Sequence, residues 1–168
     1  MKNIFLTICL SIFTLSTYAQ KFAYVDSDYI LERIPEYQSA QDQLDNVSLS
    51  WQTEIEEIFQ QIDQLYKKFQ ADQILLTQDM KQRRESEIIN KEKEAKELQR
   101  KRFGPDGDLF LKRKELIQPI QDKVFNAVND FCQEKRYDVI FDKSSELIML
   151  YSNPNLDKSD DILKMLGY

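Results

Sequence analysis

LDNVSLSWQTEIEEIFQQIDQLYKKF, residues Leu44–Phe69, is the stretch on which the reading of this chain turns. A row of large apolar residues stands at Leu44, Val47, Trp51, Ile55, Ile58, Ile62, Leu65 and Phe69, in steps of 3, 4, 4, 3, 4, 3 and 4. From Ile55 to Phe69 the steps alternate as heptad a and d positions do. The extra four-residue step from Trp51 to Ile55 is a stutter, a local change of supercoil. Most residues between are Gln, Glu, Asp, Ser or Lys, and none is Gly or Pro. Such a segment predicts a long helix with one narrow apolar seam, and that seam requires a partner helix.

Working outward, the helix is expected from about Glu36 to about Leu76, with the turn of a hairpin at Leu75–Asp79. Thr77 is the expected cap of the next helix and Asp79 suits its first turn. The returning helix is placed at Met80–Arg102, where apolar positions are sparse: Ile88, Ile89, Ala95 and Leu98. Charge favours an antiparallel pair. Residues 36–79 carry nine acids and two bases, and residues 80–102 carry nine bases and five acids. Each exposed pair contributes only about 0–1 kcal/mol. Two solvated faces with an accidental bias would look the same.

Phe103-Gly104-Pro105-Asp106-Gly107 holds two of the three glycines and one of the four prolines. Proline alone costs about 3 kcal/mol inside a helix, so a break is expected at 103–107. It is a poor phosphate loop, because no strand precedes it and no Lys-Ser/Thr follows. A last long helix is expected over Asp108–Lys135. Leu109, Phe110, Leu116, Ile117, Ile120, Val124, Ala127, Val128 and Phe131 give it a wide apolar stripe, suited to a sheet or a subunit contact. Pro119 within it predicts a kink.

The two ends supply strands. Lys21–Val25 reads as the first, Tyr137–Asp142 as the second and Leu147–Tyr151 as the third, with a turn at 143–146. Ser27 or Asp28 caps a brief helix that Pro35 ends. Asn153-Pro154-Asn155 breaks the chain again. Asp157 or Ser159 starts a final helix, Asp160–Leu166, stopped by Gly167. The fold class expected is α+β: a small sheet body built from residues 20–35 and 136–168, with a long protruding antiparallel coiled-coil hairpin at 36–135.

Residues 1–19 read as a secretory signal peptide. Lys2 opens it, Ile4–Leu15 is its apolar core, and Thr17 and Ala19 precede a cut before Gln20. The apolar run is short for a membrane span, although an uncut anchor is the alternative. The Leu6-Thr7-Ile8-Cys9 segment is a weak lipoprotein box, since Ile8 replaces a small residue. Removing this segment leaves 22 basic and 29 acidic residues, net −7, and one cysteine, Cys132. No internal disulfide is then possible. Cys132 lies beside the apolar face of its helix, so burial is expected. With no histidine in the 168 residues, His catalysis and His–metal sites are excluded.

Phe22-Ala-Tyr-Val-Asp26, Ile34-Pro-Glu-Tyr37, Pro119-Ile-Gln-Asp-Lys-Val124 and Tyr137-Asp-Val-Ile-Phe-Asp-Lys143, in this order around a long hairpin, resemble the Skp/OmpH family of periplasmic chaperones. The resemblance covers nearly all of the chain after residue 19. It implies a homotrimer whose β body unites strands from both termini and whose three arms surround a cavity. Unfolded outer-membrane proteins would bind there in the periplasm without ATP or any other cofactor. Body contacts would involve Phe22, Tyr24, Val139, Phe141, Ile148 and Leu150. Client-facing candidates are Tyr66, Phe69, Ile74, Leu75, Leu76, Met80, Ile88 and Ile89. Phe69 and Leu76 fit seam packing equally well, whereas Tyr66 and Leu75 stand off the seam. Family members that hold clients are often basic, which suits acidic clients and anionic lipid. This acidic chain departs from that pattern. Lys81, Arg83 and Arg84 are the remaining candidates for weak contact with membrane or lipopolysaccharide.

A holdase binds several unrelated unfolded chains. The alternative, a periplasmic coiled-coil structural or adaptor protein, docks one partner through one patch. An enzyme is disfavoured. Asp26, Asp28, Asp138 and Asp142 could cluster near the body, but no nucleophile–base pair, phosphate loop or metal-ligand spacing accompanies them. The acidic balance opposes nucleic-acid binding.

Overall fold

The computed structural model describes residues 20–145 and 149–168. The signal-peptide reading of residues 1–19 and the body candidate Ile148 lie outside the described residues. The elements in order are β1 (Phe22–Val25), α1 (Ser27–Glu32), α2 (Pro35–Asp72), α3 (Gln78–Phe103), α4 (Asp108–Lys135), β2 (Val139–Asp142), a 3-10 turn at Pro154–Leu156 and α5 (Ser159–Leu166). The chain divides into two compact units. Of the described residues, one holds 20–30 together with those of 124–168, and the other is Leu31–Lys123.

The first unit is organised on a parallel pair of strands. β1 and β2 pair as Phe22 with Val139, Ala23 with Ile140, Tyr24 with Phe141 and Val25 with Asp142. Strands so far apart in sequence can run parallel because the whole helical region serves as the crossover. Both ends of the pair are fastened. At one end the Lys21 backbone N–H donates to Asp138 Oδ2 at 2.6 Å, the Asp138 N–H donates to the Lys21 carbonyl, and Lys21 Nζ lies 4.1 Å from the Tyr137 ring centre. At the other, Asp142 accepts from the Ser27 backbone N–H and hydroxyl. Ala23, Tyr24, Val25, Ile30, Val124, Ala127, Phe131, Ile162 and Leu163 are the buried apolar residues of this unit.

Two expectations change here. The cap of α1 is Asp26, whose Oδ1 accepts the Tyr29 N–H at 3.0 Å, because Ser27 and Asp28 are already inside the helix. Met149–Tyr151 form no strand, and among the described residues the sheet has two strands. The free edge of β1 is met by Asp157, which bridges Tyr24 in parallel, and by Lys158, whose N–H donates to the Tyr24 carbonyl. Backbone groups make this contact, so it needs no β-prone side chains. Asp157 then receives the N–H and hydroxyl of Ser159, the first residue of α5, with Lys158 at the N-cap position between them. Gly167, at φ 93°, ends it.

The second unit is the hairpin and its base. The 38 residues of α2 give a rod of roughly 57 Å at ~1.5 Å per residue. Every seam residue from Leu44 to Phe69 is buried or half-buried. Ile62 packs with Ile88 and Ala95 of α3, flanked by Ile58, Leu65 and Phe69. Ala40 and Leu44 pack instead on Ile117 of α4, with Tyr37, Leu109, Leu116 and Ile120 around them. The stutter at Trp51 therefore marks the height at which α2 exchanges one partner helix for another. Phe110, expected in the apolar stripe of α4, is exposed. α4 continues through Pro119, which leaves the Glu115 carbonyl without its helical donor.

The turn falls slightly earlier than its expected place. α2 stops at Asp72, α3 begins at Gln78, and the connecting residues are 73–77. The Leu75 N–H donates to the Asp72 carbonyl at 2.8 Å, so Ile74 and Leu75 belong to the turn and not to the helix. The break after α3 occupies 104–107.

Candidate functional site

The outer end of the hairpin is the candidate site. Its frame is small. Thr77 takes extended geometry, and its side chain accepts the Met80 N–H at 3.3 Å, satisfying one of the unpaired donors of α3. Beneath the turn, Leu65, Phe69, Leu76, Arg84 and Ile88 line a void of about 10 Å³, barely room for one water. The arm is closed on itself here. Above it, Ile74 is 89% exposed and Leu75 85%.

The expected client-facing residues thus separate. Ile74, Leu75, Met80 and Ile89 are exposed, as is Tyr66. Leu76 and Phe69 are half-buried. Ile88 is buried in the cluster with Ile62 and Ala95 and is removed from the exposed set. Of two adjacent isoleucines, the one facing α2 is Ile88, and Ile89 takes the open side. Tyr66 Oη donates to Glu92 at 3.0 Å across the two helices. That bond and the neighbouring negative charge raise the pKa of the phenol.

The cations near the turn are mostly engaged. Arg83 Nε lies 3.0 Å from Asp79, and Arg84 Nη1 lies 3.1 Å from Glu87. Lys81 is half-buried. The charge bias between the helices includes the direct pair Arg102–Glu54 at 3.4 Å, while Lys67–Asp63, Lys91–Glu94 and Lys93–Glu97 run along single helices.

Sequence reasoning missed the residue that fixes the other end of the arm. The Arg102 guanidinium donates to Asp108 at 2.7 Å and to Glu54 at 3.4 Å, and lies 4.6 Å from the Trp51 ring centre. Trp51 meets Phe103 edge-on at 6.4 Å. Below it the backbone is tightly folded. A Cβ on Gly107 would stand 2.7 Å from the Lys101 carbonyl oxygen, and one on Gly104 would overlap the Arg100 carbonyl oxygen. The available signal was a coincidence of height: the stutter at Trp51 and the glycine-rich break fall opposite each other once the hairpin is folded.

The body candidates also separate. Phe22, Val139, Phe141 and Leu150 are exposed, whereas Tyr24 is buried between Phe141 and Asp157. Phe22, Tyr24, Val139 and Phe141 share one face of the strand pair, because residues in register point the same way, and of these four only Tyr24 is buried. Cys132 is half-buried, and burial raises the pKa of its thiol. Among the described residues no group of His, Cys, Asp or Glu is arranged to hold a metal ion, and no helix is long and apolar enough to cross a membrane.

A family model described as "Outer membrane protein (OmpH-like)" matches residues 21–166. No curated protein matches the chain. Among solved structures, the chain is similar to an OmpH-like protein from Caulobacter crescentus CB15, described as a candidate outer membrane chaperone. The TM-score is 0.70 at 14% identity, covering 90% of this chain and 86% of the other. At that identity the match speaks for the fold.

Proposed function

This chain belongs to the OmpH-like outer membrane protein family, and on that premise we propose that it is an ATP-independent periplasmic chaperone that holds unfolded outer-membrane proteins. The bare turn carries the proposal. Ile74 and Leu75 are 89% and 85% exposed on an arm whose own seam is closed, so they contribute nothing to folding that would explain them. Burying one such side chain against a client gains about 1.5–3 kcal/mol. Contacts of that size are strong enough to shield a chain and weak enough to exchange by mass action, without a nucleotide.

The exposed row Phe22, Val139 and Phe141 supports a subunit contact through the strand pair. In this proposal three copies join there, and their arms enclose the client. Residues 1–19 direct export and are removed. Contact with anionic lipid is weak, because Arg83 and Arg84 are already paired with carboxylates.

The test is light scattering of residues 20–168, alone and with an unfolded β-barrel protein. A trimer that takes up one client without precipitate is the expected result. A monomer or dimer that leaves the client to precipitate removes the cavity and turns the reading to a docking arm for one partner.

A further inference from the structure

Beside the buried seam of α2 runs a second row with heptad-like spacing. Leu49, Gln52, Glu56, Phe59, Asp63 and Tyr66 follow at steps of 3, 4, 3, 4 and 3. At 3.6 residues per turn they share one strip of the helix roughly 100° wide. Its apolar members are exposed, Leu49 at 63%, Phe59 at 37% and Tyr66 at 41%. Glu56 and Asp63 stand between them and are also exposed. Asp42–Tyr66 contains six carboxylates and no Lys or Arg.

A partner helix would need apolar residues at nearly every such position. Here half the row is polar. An alternation of carboxylates with aromatic and aliphatic faces fits a different occupant. Cationic side chains of an extended polypeptide can lie on the carboxylates and over the rings, while its apolar side chains cover Leu49 and Phe59. The internal bonds of the row lie at the surface and are exchangeable: Lys67 on Asp63, Gln60 on Glu56, Gln52 on Ser48 and the Tyr66 hydroxyl on the half-buried Glu92.

We propose that the row Leu49–Glu56–Phe59–Asp63–Tyr66 selects unfolded segments in which Lys or Arg alternates with aliphatic or aromatic residues. This rests on the holdase reading and adds to it the chemistry of the client. The uncharged turn at Ile74 and Leu75 grips without regard to sign; the row supplies the sign.

The test uses two fluorescent unfolded peptides of equal length and equal apolar content, one carrying Lys and the other Glu, titrated by anisotropy onto the purified protein. The Lys peptide is expected to bind about tenfold more tightly at low salt, the gain of two or three exposed ion pairs. The advantage should fall below about twofold near 0.5 M salt, where the charges are screened. E56Q/D63N should abolish the preference with unchanged helical circular dichroism. F59A/Y66A should weaken both peptides. Equal binding of the two peptides, or a preference that survives E56Q/D63N, overturns the proposal. A mass that rises with protein concentration and is restored by E56Q/D63N also overturns it, because the row then joins copies of this chain. Aggregation of an unfolded β-barrel protein is followed with the same preparation. Suppression without charge preference removes the row alone; absence of both removes the holdase reading as well.

Discussion

At the base of the hairpin, Arg102 sits among Glu54, Asp108 and the Trp51 ring, and two glycines let the backbone close beneath it. At the outer turn, Thr77 supplies one cap, and Ile74 and Leu75 stand in solvent. Both ends join the same kind of element, helix to helix. The base spends its side chains on each other, and the turn leaves them free. Under the proposed function, stability and binding capacity lie at different ends, so a substitution should move one property and leave the other in place.

The largest expected effect tests the base. Gly107→Ala places a Cβ 2.7 Å from one backbone oxygen and 2.9 Å from the Gly104 nitrogen. Neither is a flexible side chain, so the turn itself must shift, at a cost of about 1–3 kcal/mol. Arg102→Ala should cost about 1–2 kcal/mol, from two partly exposed ion pairs and the ring contact. A larger loss is not expected, because Arg102 Nε is buried without a partner and its removal relieves that penalty. Trp51, the single tryptophan, reports both in a urea titration. Unchanged midpoints would break the contrast.

The converse prediction concerns the turn. Ile74→Ser with Leu75→Ser should leave the urea midpoint within the about 0.5 kcal/mol typical of surface changes. Client affinity should fall about tenfold, equivalent to one buried aliphatic side chain. Anisotropy with a labelled unfolded β-barrel protein measures it. If the midpoint drops instead, these residues stabilise the arm and the division of labour fails.

This division was half legible. The seam from Ile55 to Phe69 could be read because its spacing carries its own period and no Gly or Pro falls between Leu44 and Phe69 to blur it. The turn was placed within a few residues from Thr77 alone. Arg102 was not legible. In sequence it ends a run of three cations, Arg100-Lys101-Arg102, and only the pairing of α2 with α3 singles it out. Ile88 and Ile89 were inseparable for the same reason: α3 is too sparsely apolar to fix its own register, which Ile62 sets from the other helix. The strand at Leu147–Tyr151 was inferred from β-prone composition. Residues 149–151, the described part of it, form no strand; the free edge of β1 is met by the polar Asp157–Lys158 segment, joined by backbone, and composition carries no signal for such a contact.

Acid tests the strand unit through Asp142. Burial alone would raise the pKa of Asp142, but hydrogen bonds from the side chains and backbones of Ser27 and Ser144 outweigh it and hold it below the ordinary value. A folded carboxylate lowered in this way stabilises the protein above the unfolded value near ~3.9 and loses that contribution as pH falls through the folded value. Asp142→Asn should therefore be less stable than the parent at pH 6 and approach it below about pH 4. Urea midpoints followed by circular dichroism at several pH values measure this. A constant difference across the range would mean that the carboxylate charge is not what ties β2 to α1.

The smallest effect expected is a gain. Arg136 follows α4 at φ 56°, and the Tyr137 N–H reaches back to the Cys132 carbonyl at 3.0 Å. The left-handed geometry at this helix end costs a residue with a Cβ about 1–2 kcal/mol. The chain uses glycine for the same task at Gly167, φ 93°, after α5. Arg136→Gly removes the strain but gives the unfolded chain more freedom, about 0.5–1 kcal/mol against it. The net expectation is a stabilisation of about 0.5 kcal/mol. Arg136 lies outside both ends of the hairpin, so client binding by this variant should match the parent. A change in binding without a change in stability would show that the strand unit, and not the arm alone, meets the client.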